Sequence, residues 1–170
     1  MSKSMMDAAF GHHVWATLRL LDVCLGMSPE QLETAVPGTY GSILDTQRHL
    51  VGADSWYLSV INADDSVLID EEQMGLAELR AVMQRQEATW SRVLVEHLDP
   101  DAVSKEVDVD DVYQKDATMG IRLAQALHHG TDHRSQICTA LTSLGVEASA
   151  IDVWDFGIQA RSVVETLPST

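Results

Sequence analysis

Apolar residues recur at steps of three and four along most of this chain, the pattern of helices that each bury one face. Residues 5–26 carry Phe10, Val14, Leu18, Leu21 and Leu25 in one stripe. Ser28-Pro29-Glu30-Gln31 predicts a new helix start: Ser28 caps, Pro29 takes the first helical position and Gln31 closes a capping box. Pro37-Gly38 ends that short turn. A second long helix is expected over about 42–62, with Ile43, Thr46, Leu50, Ala53, Tyr57 and Val60 as its stripe. An acidic loop, Asp64 to Glu72, follows. A third helix is expected over 76–98 through Leu79, Val82 or Met83, Gln86, Trp90, Val93, Leu94 and Leu98, stopped by Asp99-Pro100.

The period changes once. Val103, Lys105, Val107 and Val109 alternate with polar residues, the spacing of a strand, so 103–113 is expected to form a short hairpin or an extended crossover. A fourth helix over 117–144 ends at Gly145, a good residue for a left-handed stop, and a last helix is expected over 150–165. Long helices in this order predict an all-α four-helix bundle, a single domain over 1–170, with short extra helices and a long crossover between its third and fourth helices.

Composition narrows the partners. Among 170 residues, 26 acids face 11 bases, a formal net charge of −15. Nucleic acid is excluded, because phosphate binding needs a basic face, and an anionic membrane surface is disfavoured for the same reason. No apolar run reaches the roughly 18 residues of a membrane span, and residues 1–10 lack the basic start and apolar core of a signal peptide. Cys24 and Cys138 are too few for a disulfide framework, which places the expectation in a reducing cytoplasm. Only Lys3, Lys105 and Lys115 are lysines, and Asp outnumbers Glu, a bias of GC-rich bacterial genomes or of halophiles. Trp15, Trp56, Trp90 and Trp154 are spread over separate helices and read mainly as core or interface residues.

The candidate chemistry lies in the histidines, which helical phase separates at about 100° per residue. On the fourth helix the seam Met119, Leu123, Ala126, Gly130, His133, Ile137, Ala140 and Leu144 places His133 inside and His129 at the edge of the same face. An i, i+4 pair of imidazoles on one face can close on a single metal ion. His128 falls on the far side. On the second helix His49 lies one turn before Ala53, with about the phase that His129 has on its own helix. If those helices pack together, His49, His129 and His133 converge, and three imidazoles plus one open position suit a catalytic metal. Asp45, one turn before His49, is positioned to orient its ring, and Asp132, Arg134 and Gln136 surround His133. His13 flanks its stripe as a candidate extra ligand or proton carrier, His12 points away, and His97 reads as a surface residue at a helix C-terminus.

The stretch Ile43-Leu44-Asp45-Thr46-Gln47-Arg48-His49-Leu50-Val51-Gly52-Ala53-Asp54 with Trp56 resembles the first metal-ligand helix of the DinB/YfiT-like metalloenzymes. His129-Gly130-Thr131-Asp132-His133-Arg134-Ser135-Gln136-Ile137 resembles their second motif, and Leu144-Gly145-Val146 with Asp152-Val153-Trp154 also fits. The likeness covers roughly residues 5 to 160. It implies a four-helix bundle with an unusual connection, a homodimer, and a divalent metal held by the positions of His49, His129 and His133. Zinc is favoured among the metals, with nickel, manganese or iron as alternatives. The best understood members are S-transferases that use a low-molecular-weight thiol, bacillithiol or mycothiol, and a related isomerase uses mycothiol. The composition favours mycothiol. The expected activity is conjugation of that thiol to electrophilic small molecules in detoxification, with Arg134 either anchoring the thiol cofactor or bracing the bundle. Two alternatives stay open: a hydrolase that activates water on the metal with Asp45, Asp132 or His13 as base, and a stress-associated metal-binding protein without turnover.

Overall fold

A computed structural model describes residues 4–96, 99–108, 113–148 and 150–166. Its elements are α1 (Met5–Cys24), α2 (Pro29–Leu32), α3 (Ile43–Asn62), α4 (Leu76–Glu96), β1 (Val103–Asp108), β2 (Tyr113–Thr118), α5 (Met119–Ser143) and α6 (Val153–Gln159). Single 3-10 turns sit at Asp65–Val67 and Glu71–Gln73 in the loop after α3. The fold is the all-α bundle expected from the sequence, with one small hairpin added. Among the described residues no helix is long and apolar enough to cross a membrane.

The helix starts are set by short polar side chains. Ser4 with Asp7, Ser28 with Gln31, and Ser42 with Asp45 each close a reciprocal capping box that satisfies amide groups the helix itself cannot. The end of α5 follows the sequence equally well. Gly145 takes φ +69°, its N–H reaches the Thr142 carbonyl, and the Val146 N–H reaches back to Leu141. That pair of bonds is the left-handed helix stop for which glycine is suited.

α1 and α3 each pack on both α4 and α5, so α1 and α3 occupy opposite corners of the bundle and α4 and α5 the other two. The connection from α4 to α5 therefore crosses a diagonal, which explains its length. It is filled by the antiparallel pair β1–β2, in register from Val103 opposite Thr118 to Asp108 opposite Tyr113. The core runs through all four long helices and includes Phe10, Leu20 and Leu21 on α1, Leu50 and Leu58 on α3, Leu79, Met83 and Trp90 on α4, and Ile137 and Leu141 on α5.

Three expectations shift. The inner face of α1 is Phe10, His13, Val14, Thr17, Leu20, Leu21 and Cys24, while Leu18 is half-buried and Leu25 is exposed. The drawn stripe advanced too fast, because it stepped over His13 and Thr17, which hold interior positions by bonding to each other's helix turn and to α5. On α3 the buried line likewise passes through Asp54 and Leu58, leaving Ala53, Tyr57 and Val60 at its edge. The last helix covers only Val153–Gln159, not 150–165. Arg161 turns left-handed at φ +56°, and the Ser162 and Val163 amides fold back on the Gly157 carbonyl. The expected helix end at Leu98, the surface residue His97 and Val109 of the alternating segment lie outside the described residues. Of the tryptophans, Trp90 is core and Trp154 is 71% exposed.

The hairpin has strand period with its faces reversed. Val103 and Val107 point to solvent, and Glu106, between them, is buried. Its carboxylate accepts from Arg122 Nη1 at 2.7 Å, the Tyr113 hydroxyl at 3.0 Å and Trp56 Nε1 at 3.3 Å. Arg122 also donates to the Ser104 and Lys115 carbonyls, so one α5 guanidinium ties both strands down. Burial works to raise the Glu106 pKa, but Arg122, Tyr113, Lys115 and Trp56 outweigh it and hold the carboxyl below its ordinary 4.5. A depressed folded-state value stabilises the native state above pH 4.5, and that contribution fades as pH falls through the folded pKa. Glu106→Gln is expected to cost on the order of 3 kcal/mol at neutral pH, since it leaves Arg122 buried without its counter-ion. Thermal melts of the two proteins should converge as pH drops below 4.5. Equal melting at pH 7 would remove this pair from the fold's determinants.

Candidate metal centre

The α3–α5 contact brings His49, His129 and His133 together: one ring nitrogen of each lies within 4.8 Å of the others. The Nε2 atoms of His129 and His49 are 3.0 Å apart. Ring centroids are 4.3 Å apart for His129 and His133, 4.7 Å for His49 and His133, and 4.9 Å for His49 and His129. Helical phase sorted the α5 histidines as the structure does, with His133 buried, His129 half-buried and His128 exposed.

Several contacts aim these rings. His133 Nδ1–H faces Gln136 Oε1 at 3.3 Å, which leaves His133 Nε2 as a lone pair. The same Gln136 oxygen accepts the Tyr40 amide at 2.8 Å, fixing the loop before α3 over the cluster. The Tyr40 ring then stacks on His49 at 4.0 Å and 9°. Tyr57 stands edge-on to His129 at 5.6 Å. Asp45, in contrast, does not orient His49. Its carboxylate accepts the Ser42 hydroxyl at 2.7 Å in the α3 capping box and lies 3.9 Å from Arg48.

The electrostatics favour neutral imidazoles. Burial, then the neighbouring His133 and His49, push His129 down to about 4. Burial also lowers His49 and His133. A metal requires the neutral form, so nothing need be deprotonated near neutral pH for the site to be ready. Two nitrogens on one tetrahedral zinc at ~2.1 Å lie about 3.4 Å apart, close to the 3.0 Å here. Donor type, protonation and spacing therefore fit a divalent ion with nitrogen preference.

His49 also forms one wall of a cleft of about 530 Å³, lined by Tyr40, Gly41, Asp45, Arg48, Glu71, Glu72 and Gln73. The Glu71 carboxylate has no hydrogen bond or ion pair among the described residues and lies against Gly52 on α3. A Cβ at position 52 would come within 2.5 Å of the Glu71 carboxyl carbon, so glycine makes the notch in which that side chain rests. The sequence reading missed Glu71 and Tyr40 because loops carry no period to mark which residues turn toward a helix.

His13 and Arg134 are placed otherwise than as ligand and cofactor anchor. His13 is fully buried on α1, with Nε2 2.7 Å from Asp54 Oδ2 and Nδ1 3.0 Å from Arg134 Nη1. Because a guanidinium only donates, Nδ1 must accept, and Nε2–H donates to Asp54. Arg134 is 3% exposed and also bonds Thr17 and Thr131, so it braces α5 against α1. Burial pulls its guanidinium down to about 10, against the opposing charge of Asp54. Any Cβ at position 130 would collide with the His13 ring, which accounts for glycine between the two α5 histidines. Asp132 is exposed, and His12 half-buried with its Nε2 2.8 Å from the Ile151 carbonyl; His97 lies outside the described residues.

A family model described as the DinB family matches residues 1–162. A search of curated proteins returned no match. His49→Ala and His133→Ala are each expected to abolish retention of zinc after dialysis, and His128→Ala to leave it intact, as read by metal analysis of the purified proteins. Equal loss in His128→Ala would refute the assignment of the three converging rings.

Proposed function

The chain belongs to the DinB family, and from that premise we propose that it is a metal-dependent S-transferase joining a low-molecular-weight thiol to electrophilic small molecules. The observation that carries this reading is the convergence of three imidazoles, one of which, His49, also lines an open cleft, with no fourth protein ligand grouped with them among the described residues. A closed four-ligand site would suit a purely structural ion. A divalent metal bound there, zinc in the first instance, supplies an electrophilic position that lowers the pKa of a thiol.

The residues of the chain do the rest. His49, His129 and His133 would hold the ion, and His49 would connect it to the cleft. Glu71 is the unpaired base at that side, and it takes the proton when the thiol S–H breaks. The sulfur lone pair then forms the carbon–sulfur bond, and the leaving group departs with the electrons of its own bond. Tyr40 covers the His49 ring and limits water at the reacting atoms.

The cleft also favours one class of thiol. Its lining sets Asp45, Glu71 and Glu72 against Arg48 alone. Bacillithiol and glutathione carry carboxylates that this lining repels. Mycothiol presents an uncharged polyhydroxyl body, which carboxylates accept as hydrogen-bond donors. A cytoplasmic homodimer is part of the same reading, supported by Val153, Trp154 and Ile158, which leave apolar surface exposed on α6.

Zinc-loaded protein incubated with a bimane electrophile and each thiol in turn tests this. Mycothiol is expected to give conjugate faster than bacillithiol or glutathione, and Glu71→Gln to slow it by about 100-fold. Conjugate with none of the thiols would remove the transferase reading and leave metal-assisted hydrolysis or metal binding without turnover.

A further inference from the structure

We propose that Asp54 is a positioning residue for the metal centre, holding the His129 imidazole in its Nδ1–H tautomer through one buried water. The inference rests on the reading of His49, His129 and His133 as a metal site, and adds to it a residue outside the ligand set.

Asp54 lies on α3 with no solvent exposure. One carboxylate oxygen, Oδ2, is fully engaged: His13 Nε2–H donates at 2.7 Å and Trp90 Nε1–H at 3.3 Å. The other, Oδ1, is buried and has no hydrogen-bond partner among the described residues. Across the α3–α5 contact, His129 Nδ1 is buried and equally without a partner among the described residues. The two atoms are complementary, since a carboxylate oxygen only accepts and a ring nitrogen can donate.

The neighbourhood ties them together. The residue after His129 is Gly130, and the His13 ring that Asp54 holds is packed against it. The charge of Asp54 also acts on His129. Leaving either atom buried and unsatisfied is unfavourable, and a water with partners on both sides removes both penalties. The chemical consequence is directional. With the proton on Nδ1, His129 presents Nε2 as a lone pair, the atom that faces His49 Nε2 at 3.0 Å. A carboxylate acting on the outer nitrogen of a histidine ligand fixes the ring and raises its basicity.

Two measurements test the proposal. Long-range proton–nitrogen correlation spectra of metal-free wild-type protein at neutral pH are expected to place the His129 proton on Nδ1; a proton on Nε2 overturns the proposal, whether or not any variant folds. Asp54→Asn, checked for native helicity, is then expected to weaken zinc about 10- to 100-fold in chelator competition and to alter the visible spectrum of the cobalt-substituted site. A folded Asp54→Asn protein with wild-type zinc affinity and cobalt spectrum would reduce Asp54 to a packing residue and refute the inference. Failure of the wild-type protein itself to bind zinc or cobalt would instead sink the metal reading, while the tautomer measurement still decides what Asp54 does.

Discussion

A carboxylate sealed away from water must be given donors and a counter-charge, and in this bundle Asp54 receives both from other helices. His13 on α1 and Trp90 on α4 donate to it, and Arg134 on α5 completes the chain through the other nitrogen of His13. One buried carboxylate on α3 thus engages all three remaining long helices. The charges cancel across the neutral imidazole, and the geometry tolerates little sliding, since hydrogen bonds between buried charged groups weaken steeply with displacement. The register of α3 against α5 follows from this network as much as from the apolar core.

That register is what makes a site. His49 comes from one helix and His129 and His133 from another, so the three rings converge only where the two helices meet at one relative height. The buried network lies next to them in sequence and in space: Gly130 directly follows His129, Arg134 directly follows His133, and Asp54 follows His49 on α3. Small residues take part by omission. Gly130 admits the His13 ring, and Gly52 admits Glu71 from the loop above. Outside the bundle the same economy recurs on a smaller scale, where Glu106 and Arg122 fasten a hairpin whose valines face solvent.

The net charge of −15 argued against polyanionic partners but was silent about the centre itself. Burial lowers all three imidazoles, and Asp45, Glu71 and Glu72 line the cleft beside His49. A dication there would be favoured by uncharged nitrogen ligands and by the carboxylates of the cleft beside His49.

The sequence alone determined the start of α2, the glycine stop of α5 and the phase of α5. Serine caps with their reciprocal partners, the glycine stop at 145 and the unbroken seam from Met119 to Ala140 are local features, settled by the hydrogen bonds and side-chain directions of a few neighbouring residues. The same local geometry picked His129 and His133 and set His128 aside. Only the tertiary structure decided the fate of polar residues within apolar stripes. His13 and Arg134 read as flanking or solvated positions, and the stripe passed over Asp54, because periodicity counts hydrophobicity, whereas their burial depends on partners 41 and 121 residues apart. Glu71 and Tyr40 belong to the cleft because loops bring them there, and no period of three, four or two marks a loop residue that turns inward. Local rules fix which way a helix faces; which buried polar groups find each other is fixed by packing, and here the site depends on that pairing.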